Sequence, residues 1–137
     1  MLVVTGSPRT GTSAMMQTLK ILGLVPVSPA FQKEHEGIEH YNIKGFYEPN
    51  LEEVLTLKDT PSGVVKLFGS ALPFVEKNIV NRMIIMKREK QQASKSYRPI
   101  MEEIQEDADV DFVYDFCYDE IDKMKVGVDN IEVNYED

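Results

Sequence analysis

A glycine-bearing loop between a β-branched run and a helical pattern constrains the fold of this chain more than any other feature. The run Leu2–Val4 is apolar, ends at Thr5-Gly6 and suits a buried central strand. From Thr12 to Gly23 the apolar residues recur at the spacing of one helix face, and Gly23 is a typical C-terminal stop. A strand, a glycine loop and a helix in this order predict the opening unit of an α/β fold.

The remainder of the chain alternates loops, apolar runs and helical patterns. Residues 26–50 predict a loop region with short helical pieces, and Glu52–Leu57 predicts a helical turn or two. The remaining predicted strands cover 63–68, 82–86 and 131–135, and the remaining predicted helices cover 73–78, 90–104 and 112–124. Pro99 is expected to break or kink the helix that contains it. The order predicts one α/β domain over residues 1–137, with a mostly parallel sheet flanked by helices.

Composition restricts the classes of partner. The net charge is −8, which argues against nucleic acid and against anionic lipid, because both are bound by lysine and arginine. The single Cys117 cannot form an internal disulfide, and no apolar run has the length of a membrane span. The N-terminus lacks the basic leader of a signal peptide. We therefore expect a cytoplasmic protein with no membrane partner.

The loop itself predicts an anion site. Gly6 and Gly11 have the spacing of a triphosphate-binding loop, but Thr12 and Ser13 follow where Lys and then Ser or Thr would stand, and the cation is Arg9. The free backbone N–H groups of a helix N-terminus attract phosphate or sulfate. Without the lysine, hydrolysis of a triphosphate is less expected. On spacing alone, an ordinary strand-to-helix turn remains an alternative.

A second basic island follows the strand predicted at 82–86. Lys87–Arg98 holds five of the fifteen Lys and Arg residues, interrupted by one acid. Ligands of open α/β sheets collect at the carboxyl ends of strands, so Arg88 with Ser94 or Ser96 predicts a second anion pocket. A solvated helix face is the alternative. Two anion sites together are typical of a nucleotide with phosphates at two places.

Two groups of residues approach the pattern of a metal site, but neither has it. His35 and His40 lack the i, i+4 spacing of a helical zinc pair. Asp107, Asp109 and Asp111 alternate as in a calcium loop, but Phe112 stands where glycine is needed. The sequence therefore predicts no metal site.

Several motifs resemble those of sulfotransferases that use 3′-phosphoadenosine 5′-phosphosulfate (PAPS). GSPRTGTS resembles their 5′-phosphosulfate loop, and Arg88 with Ser96 eight residues on is similar to their 3′-phosphate signature. KGFYEPN and VVKLFGSALPF resemble segments of small bacterial members of the family, and VNYED resembles one of its strand motifs. The resemblance implies a P-loop-containing, sulfotransferase-like α/β/α fold.

The resemblance also implies roles for individual residues. The donor PAPS would be bound by Ser7, Pro8, Arg9, Thr10, Gly11, Thr12, Ser13, Arg88 and Ser96. Arg9 would stabilise the departing phosphate, and Arg88 with Ser96 would hold the 3′-phosphate. Glu48 is the first choice for the base, with a pKa raised by its apolar neighbours Phe46 and Tyr47, and His40 is the second. The acceptor would be a hydroxyl or amine of a small molecule or glycan, and no metal is required.

Two alternatives remain open from the sequence. One is a P-loop kinase or nucleotide-binding protein with an altered loop, which would bind ATP with magnesium. The other is a degenerate member of the family that binds the nucleotide or a protein partner and transfers nothing.

Overall fold

A four-stranded, all-parallel sheet forms the centre of the molecule. The computed structural model describes residues 1–60 and 62–136. The strands are β1 (Leu2–Gly6), β2 (Val64–Phe68), β3 (Arg82–Lys87) and β4 (Asp129–Asn134), in the order β2-β1-β3-β4. Every neighbouring pair is parallel, so the carboxyl ends of all four strands meet at one edge of the sheet.

Helices cover both faces of this sheet. The α-helices are α1 (Thr12–Ile21), α2 (Leu51–Leu55), α3 (Lys90–Glu103) and α4 (Val110–Met124), and short 3-10 turns lie between them. Successive side chains of a strand point to opposite faces. Val4 and Ile84 accordingly pack with Met16 of α1, and Val3 packs with Ile121 of α4 on the other face.

These elements confirm the predicted α/β class and most of the predicted segments. All four strands lie where apolar runs predict them, although β4 begins two residues earlier, at Asp129. Segment 73–78 is wrong as a single helix, because two 3-10 turns, Gly69–Phe74 and Lys77–Ile79, stand there. In the described part of the chain, no helix combines the length and the apolar character needed to cross a bilayer.

Pro99 does not break α3, which continues from Lys90 to Glu103 through it. A proline removes one helical hydrogen bond, but it does so here on the exposed side of the helix. The next two residues, Ile100 and Met101, are buried. Tertiary packing of these neighbours holds the helix across the proline.

The strand order places a crevice between β1 and β3. From β1 the chain crosses through α1 to β2 on one side, and from β3 it crosses to β4 on the other. Where the direction of the connections reverses, the two loops separate and leave room for a ligand. The loop after β1 carries Arg9, and the segment after β3 carries Arg88.

Candidate active site

The loop after β1 leads into α1 through two left-handed residues. Arg9 has φ of 66° and Gly11, the N-cap of α1, has φ of 92°. A non-glycine residue in this region is uncommon and marks a locally strained backbone. Because Gly11 has no side chain to cap the helix, the first amides of α1 keep their hydrogen-bonding capacity for an anion.

Ser7 and Thr10 of the loop have buried side chains. Thr10 Oγ1 donates to the backbone carbonyl of Ser7 at 2.7 Å, and both side chains are buried. Neither residue is among those that line the cavity described below. Their side chains therefore build the loop, and a ligand would meet them only through backbone groups.

The two predicted anion sites adjoin each other. Arg9 Nε donates to Ser96 Oγ at 2.9 Å, and Arg88 Nη1 donates to the backbone carbonyl of Arg9 at 2.9 Å. Burial, and then the like charge of Arg88, lower the pKa of Arg9. The Arg88 guanidinium also lies 5.3 Å from the centroid of the Tyr135 ring. Two neighbouring guanidinium groups favour a ligand that carries negative charge.

Both arginines line one cavity of about 450 Å³, a volume typical of small-molecule sites. Ser96 is not in its wall and contacts it only through Arg9. His40 is also outside the wall, since it lies 3.4 Å from Glu103 and its side chain is 59% exposed. The predicted donor-binding and catalytic residues that do line the cavity are Pro8, Arg9, Gly11, Thr12, Ser13, Glu48 and Arg88.

Lys66 is the residue of this cavity that the sequence analysis missed. It lies on β2 beside Val4, and only 1% of its surface is exposed. Its ammonium donates to Ser13 Oγ at 2.8 Å, to the Phe46 carbonyl at 2.6 Å and to Glu48 Oε1 at 3.2 Å. A lysine in the middle of an apolar strand pattern was the available signal, because lysine is rarely buried without a partner.

Glu48 lies between Lys66 and His35. Its other carboxylate oxygen is 3.0 Å from His35 Nε2, and the side chain is 23% exposed. Burial alone would raise the pKa of Glu48, but the Lys66 ammonium and the contact with His35 outweigh burial and lower it below 4.5. The expectation of a raised pKa is therefore wrong, because the sequence did not show these two partners.

The backbone around Glu48 is fixed by its neighbours. Tyr47 is buried and holds φ of 62°, a conformation that side chains rarely adopt. The Glu48 carbonyl accepts a hydrogen bond from Ser28 Oγ at 3.0 Å. The Phe46 and Tyr47 amides both donate to the carbonyl of Ala30. The Glu48 carboxylate is therefore attached to a backbone segment held by hydrogen bonds, and a functional group requires such support.

Comparison with known proteins assigns the chain to no family. No model of a known protein family matches the chain, and no curated protein matches it either. Among the described residues, no group of three or more His, Cys, Asp or Glu side chains is placed to hold a metal ion. The cavity itself is therefore the basis for inferring a function.

Proposed function

We propose that this protein transfers a sulfuryl group from PAPS to a hydroxyl or amine of a small molecule or glycan. One observation carries the proposal: Arg9 and Arg88 follow different strands and line a single cavity with the start of α1. A molecule with anionic groups at two places matches this arrangement, and the motif resemblance to PAPS-dependent enzymes names that molecule.

In the proposed complex the two phosphates bind to different parts of the cavity. The backbone amides from Gly11 to Ser13 hold the 5′-phosphosulfate at the positive end of the α1 dipole. Arg88 holds the 3′-phosphate. Ser96 accepts a hydrogen bond from Arg9 and thereby orients that guanidinium. The 3′-phosphate contact would distinguish PAPS from ATP.

The proposed reaction is a direct transfer. A bond forms between the acceptor oxygen or nitrogen and sulfur as the bond from sulfur to the 5′-phosphate oxygen breaks. Negative charge develops on that departing oxygen, and Arg9 stabilises it more strongly in the transition state than in the ground state. The products are the sulfated acceptor and adenosine 3′,5′-bisphosphate.

Glu48 takes the acceptor proton in this proposal. Its lowered pKa keeps it ionised at neutral pH, which is the state that can accept a proton. Because it is a weak base, it takes the proton only as the acceptor becomes bonded to sulfur and turns acidic. The contacts from Ser13 through Lys66 to Glu48 support this role, because they connect the carboxylate to the loop.

A titration of adenosine 3′,5′-bisphosphate and adenosine 5′-monophosphate tests the assignment of Arg88. We expect Arg88→Ala to weaken the bisphosphate at least tenfold and to change monophosphate binding little, because only the former has a 3′-phosphate. Arg82→Ala, at the exposed start of β3, is the matched control and should bind both as the unmodified protein does. Equal losses of both ligands in Arg88→Ala would refute the 3′-phosphate assignment.

A transfer assay separates the alternatives that the sequence left open. Loss of transfer in a folded Arg9→Ala variant supports the proposed mechanism, and normal turnover removes Arg9 from it. Bisphosphate binding without transfer to any acceptor indicates a degenerate binding protein. Binding of ATP that requires magnesium indicates an altered kinase-type loop instead.

A further inference from the structure

The Lys66 ammonium lies inside a cage of three oxygen atoms from different parts of the chain. Ser13 Oγ comes from the phosphate-type loop, and the Phe46 carbonyl and Glu48 Oε1 come from the segment before α2. All three are 2.6 to 3.2 Å from Nζ. An ammonium has three N–H donors, so this cage uses all of them and requires the protonated form.

The same oxygens form a ligand set for a hard divalent cation. Carboxylate, hydroxyl and carbonyl oxygens are what Mg²⁺ prefers in proteins. Ser13 is also the second residue after Gly11, the position whose hydroxyl holds Mg²⁺ in triphosphate-binding loops. Here the Ser13 hydroxyl instead accepts from Lys66 and donates to the Phe46 carbonyl at 3.1 Å.

We propose that Lys66 is a built-in substitute for the divalent cation of such a loop. Its ammonium occupies the cation position, delivers a fixed positive charge beside Ser13 and leaves no place for a metal ion there. The loop would therefore bind a phosphate or sulfate ester as a metal-free anion. The inference rests on the proposed function only in taking an anion to bind at this loop.

Strand pairing explains how Lys66 reaches the cation position. Lys66 comes from the neighbouring strand β2, where pairing with Val4 of β1 brings it to the base of the loop. Its pKa is lowered by burial and by the charge of Arg9, and the Glu48 carboxylate opposes both. The Glu48 carboxylate thus keeps the Lys66 ammonium in its protonated form.

Calorimetric titration of the unmodified protein with ATP and with adenosine 3′,5′-bisphosphate, with and without millimolar Mg²⁺, tests the inference. We expect Mg²⁺ to leave the affinity for the bisphosphate unchanged. The affinity for ATP should stay unchanged or fall, because ATP chelated by Mg²⁺ would bring a second cation close to Lys66. A tenfold gain of ATP affinity on adding Mg²⁺ would overturn the proposal.

A second experiment uses Mn²⁺ alone as the probe, so it depends neither on nucleotide nor on transfer. Lys66→Ala empties the oxygen cage, and we expect it to bind Mn²⁺ at least tenfold more tightly than the unmodified protein. The paramagnetic ion should broaden the amide signals of Ser13 and Tyr47 in the variant only. Lys58→Ala, which removes an exposed lysine, is the control and should resemble the unmodified protein.

The outcomes distinguish this inference from the proposed function. A folded Lys66→Ala that gains no Mn²⁺ affinity, or broadening of Ser13 in the unmodified protein, contradicts the cation substitution. If Lys66→Ala does not fold, the Mg²⁺ titration and the Mn²⁺ broadening of the unmodified protein decide whether Lys66 substitutes for the cation. Failure of sulfuryl transfer with a positive Mn²⁺ result would overturn the proposed function and leave the role of Lys66 intact.

Discussion

At the scale of single residues, Lys66 and Glu48 form an ion pair in the wall of the cavity. Removing both charges from water is costly, and their attraction offsets that cost only where further hydrogen bonds complete the pair. Ser13, Phe46 and His35 supply those bonds. Removal of one partner is therefore expected to destabilise the protein by about 3 kcal/mol, because the other charge stays buried.

The pH dependence of stability follows from the lowered pKa of Glu48. A carboxyl whose folded pKa lies below its unfolded value contributes stability above the unfolded value, and this contribution disappears as the pH falls through the folded pKa. We expect Glu48→Gln to reduce the free energy of unfolding by about 3 kcal/mol at pH 7. The difference should shrink as the pH falls from about 4.5 toward the lower folded pKa, because the unfolded chain then binds a proton that the folded carboxyl does not.

Urea denaturation of both proteins at several pH values between 7 and 3 measures this difference. Glu76→Gln, at an exposed site, is the control and should stay within about 0.5 kcal/mol of the unmodified protein at every pH. A difference for Glu48→Gln that is the same at pH 3 as at pH 7 would contradict the assignment of its pKa.

At the scale of elements, the unit formed by β1, the loop and α1 depends on Gly11. Its φ of 92° disfavours any side chain, and a Cβ there would lie 2.5 Å from the Tyr135 ring. Gly23, at the end of α1, has nearly the same φ of 93° but open space around it. The two glycines therefore separate the effect of backbone strain from the effect of a steric clash.

We expect Gly23→Ala to lower the free energy of unfolding by about 1 kcal/mol through the left-handed backbone alone. Gly11→Ala should cost more, because the Tyr135 ring must also move, and it should weaken bisphosphate binding. Thermal and urea unfolding with bisphosphate titration measure both effects. Adding Tyr135→Ala should recover part of the stability lost in Gly11→Ala. If Gly11→Ala and Gly23→Ala lower the free energy of unfolding equally, and Tyr135→Ala recovers nothing, the contact with Tyr135 is unimportant.

At the scale of the whole molecule, the strands of the sheet differ in pairing and in burial. Central strand β1 is paired on both sides and almost wholly buried, whereas β4 is an edge strand with mostly exposed residues. Local opening requires less free energy where fewer apolar groups are buried. The cavity lies where β1 and β3 end, so its two arginines follow the two strands that are paired on both sides.

Hydrogen exchange measured residue by residue tests whether the strands open with different free energies. We expect the amides of β1 and β3 to exchange slowest and those of β4 at least tenfold faster, since β4 can detach without opening the core. Adding adenosine 3′,5′-bisphosphate should slow exchange in the loop after β1. Equal protection of β4 and β1 would show that the sheet opens as one unit.

The elements and the loop were predictable from the sequence because their signals are local. Apolar runs, helical spacing and the glycines of the loop each lie within a short window, and the strand limits follow from them. Tertiary packing overrode this local information at Pro99, where burial of Ile100 keeps α3 continuous.

The sequence by itself determined the α/β class, the glycine loop and two arginines that follow strands. Only the tertiary structure decided that Arg9 meets Ser96, 87 residues away, that His35 rather than His40 contacts Glu48, and that Lys66 holds the base of the loop. The physical reason is that these contacts arise from tertiary packing. Pairing of β2 with β1 brings Lys66 to the loop, and strand order does not appear in any local pattern.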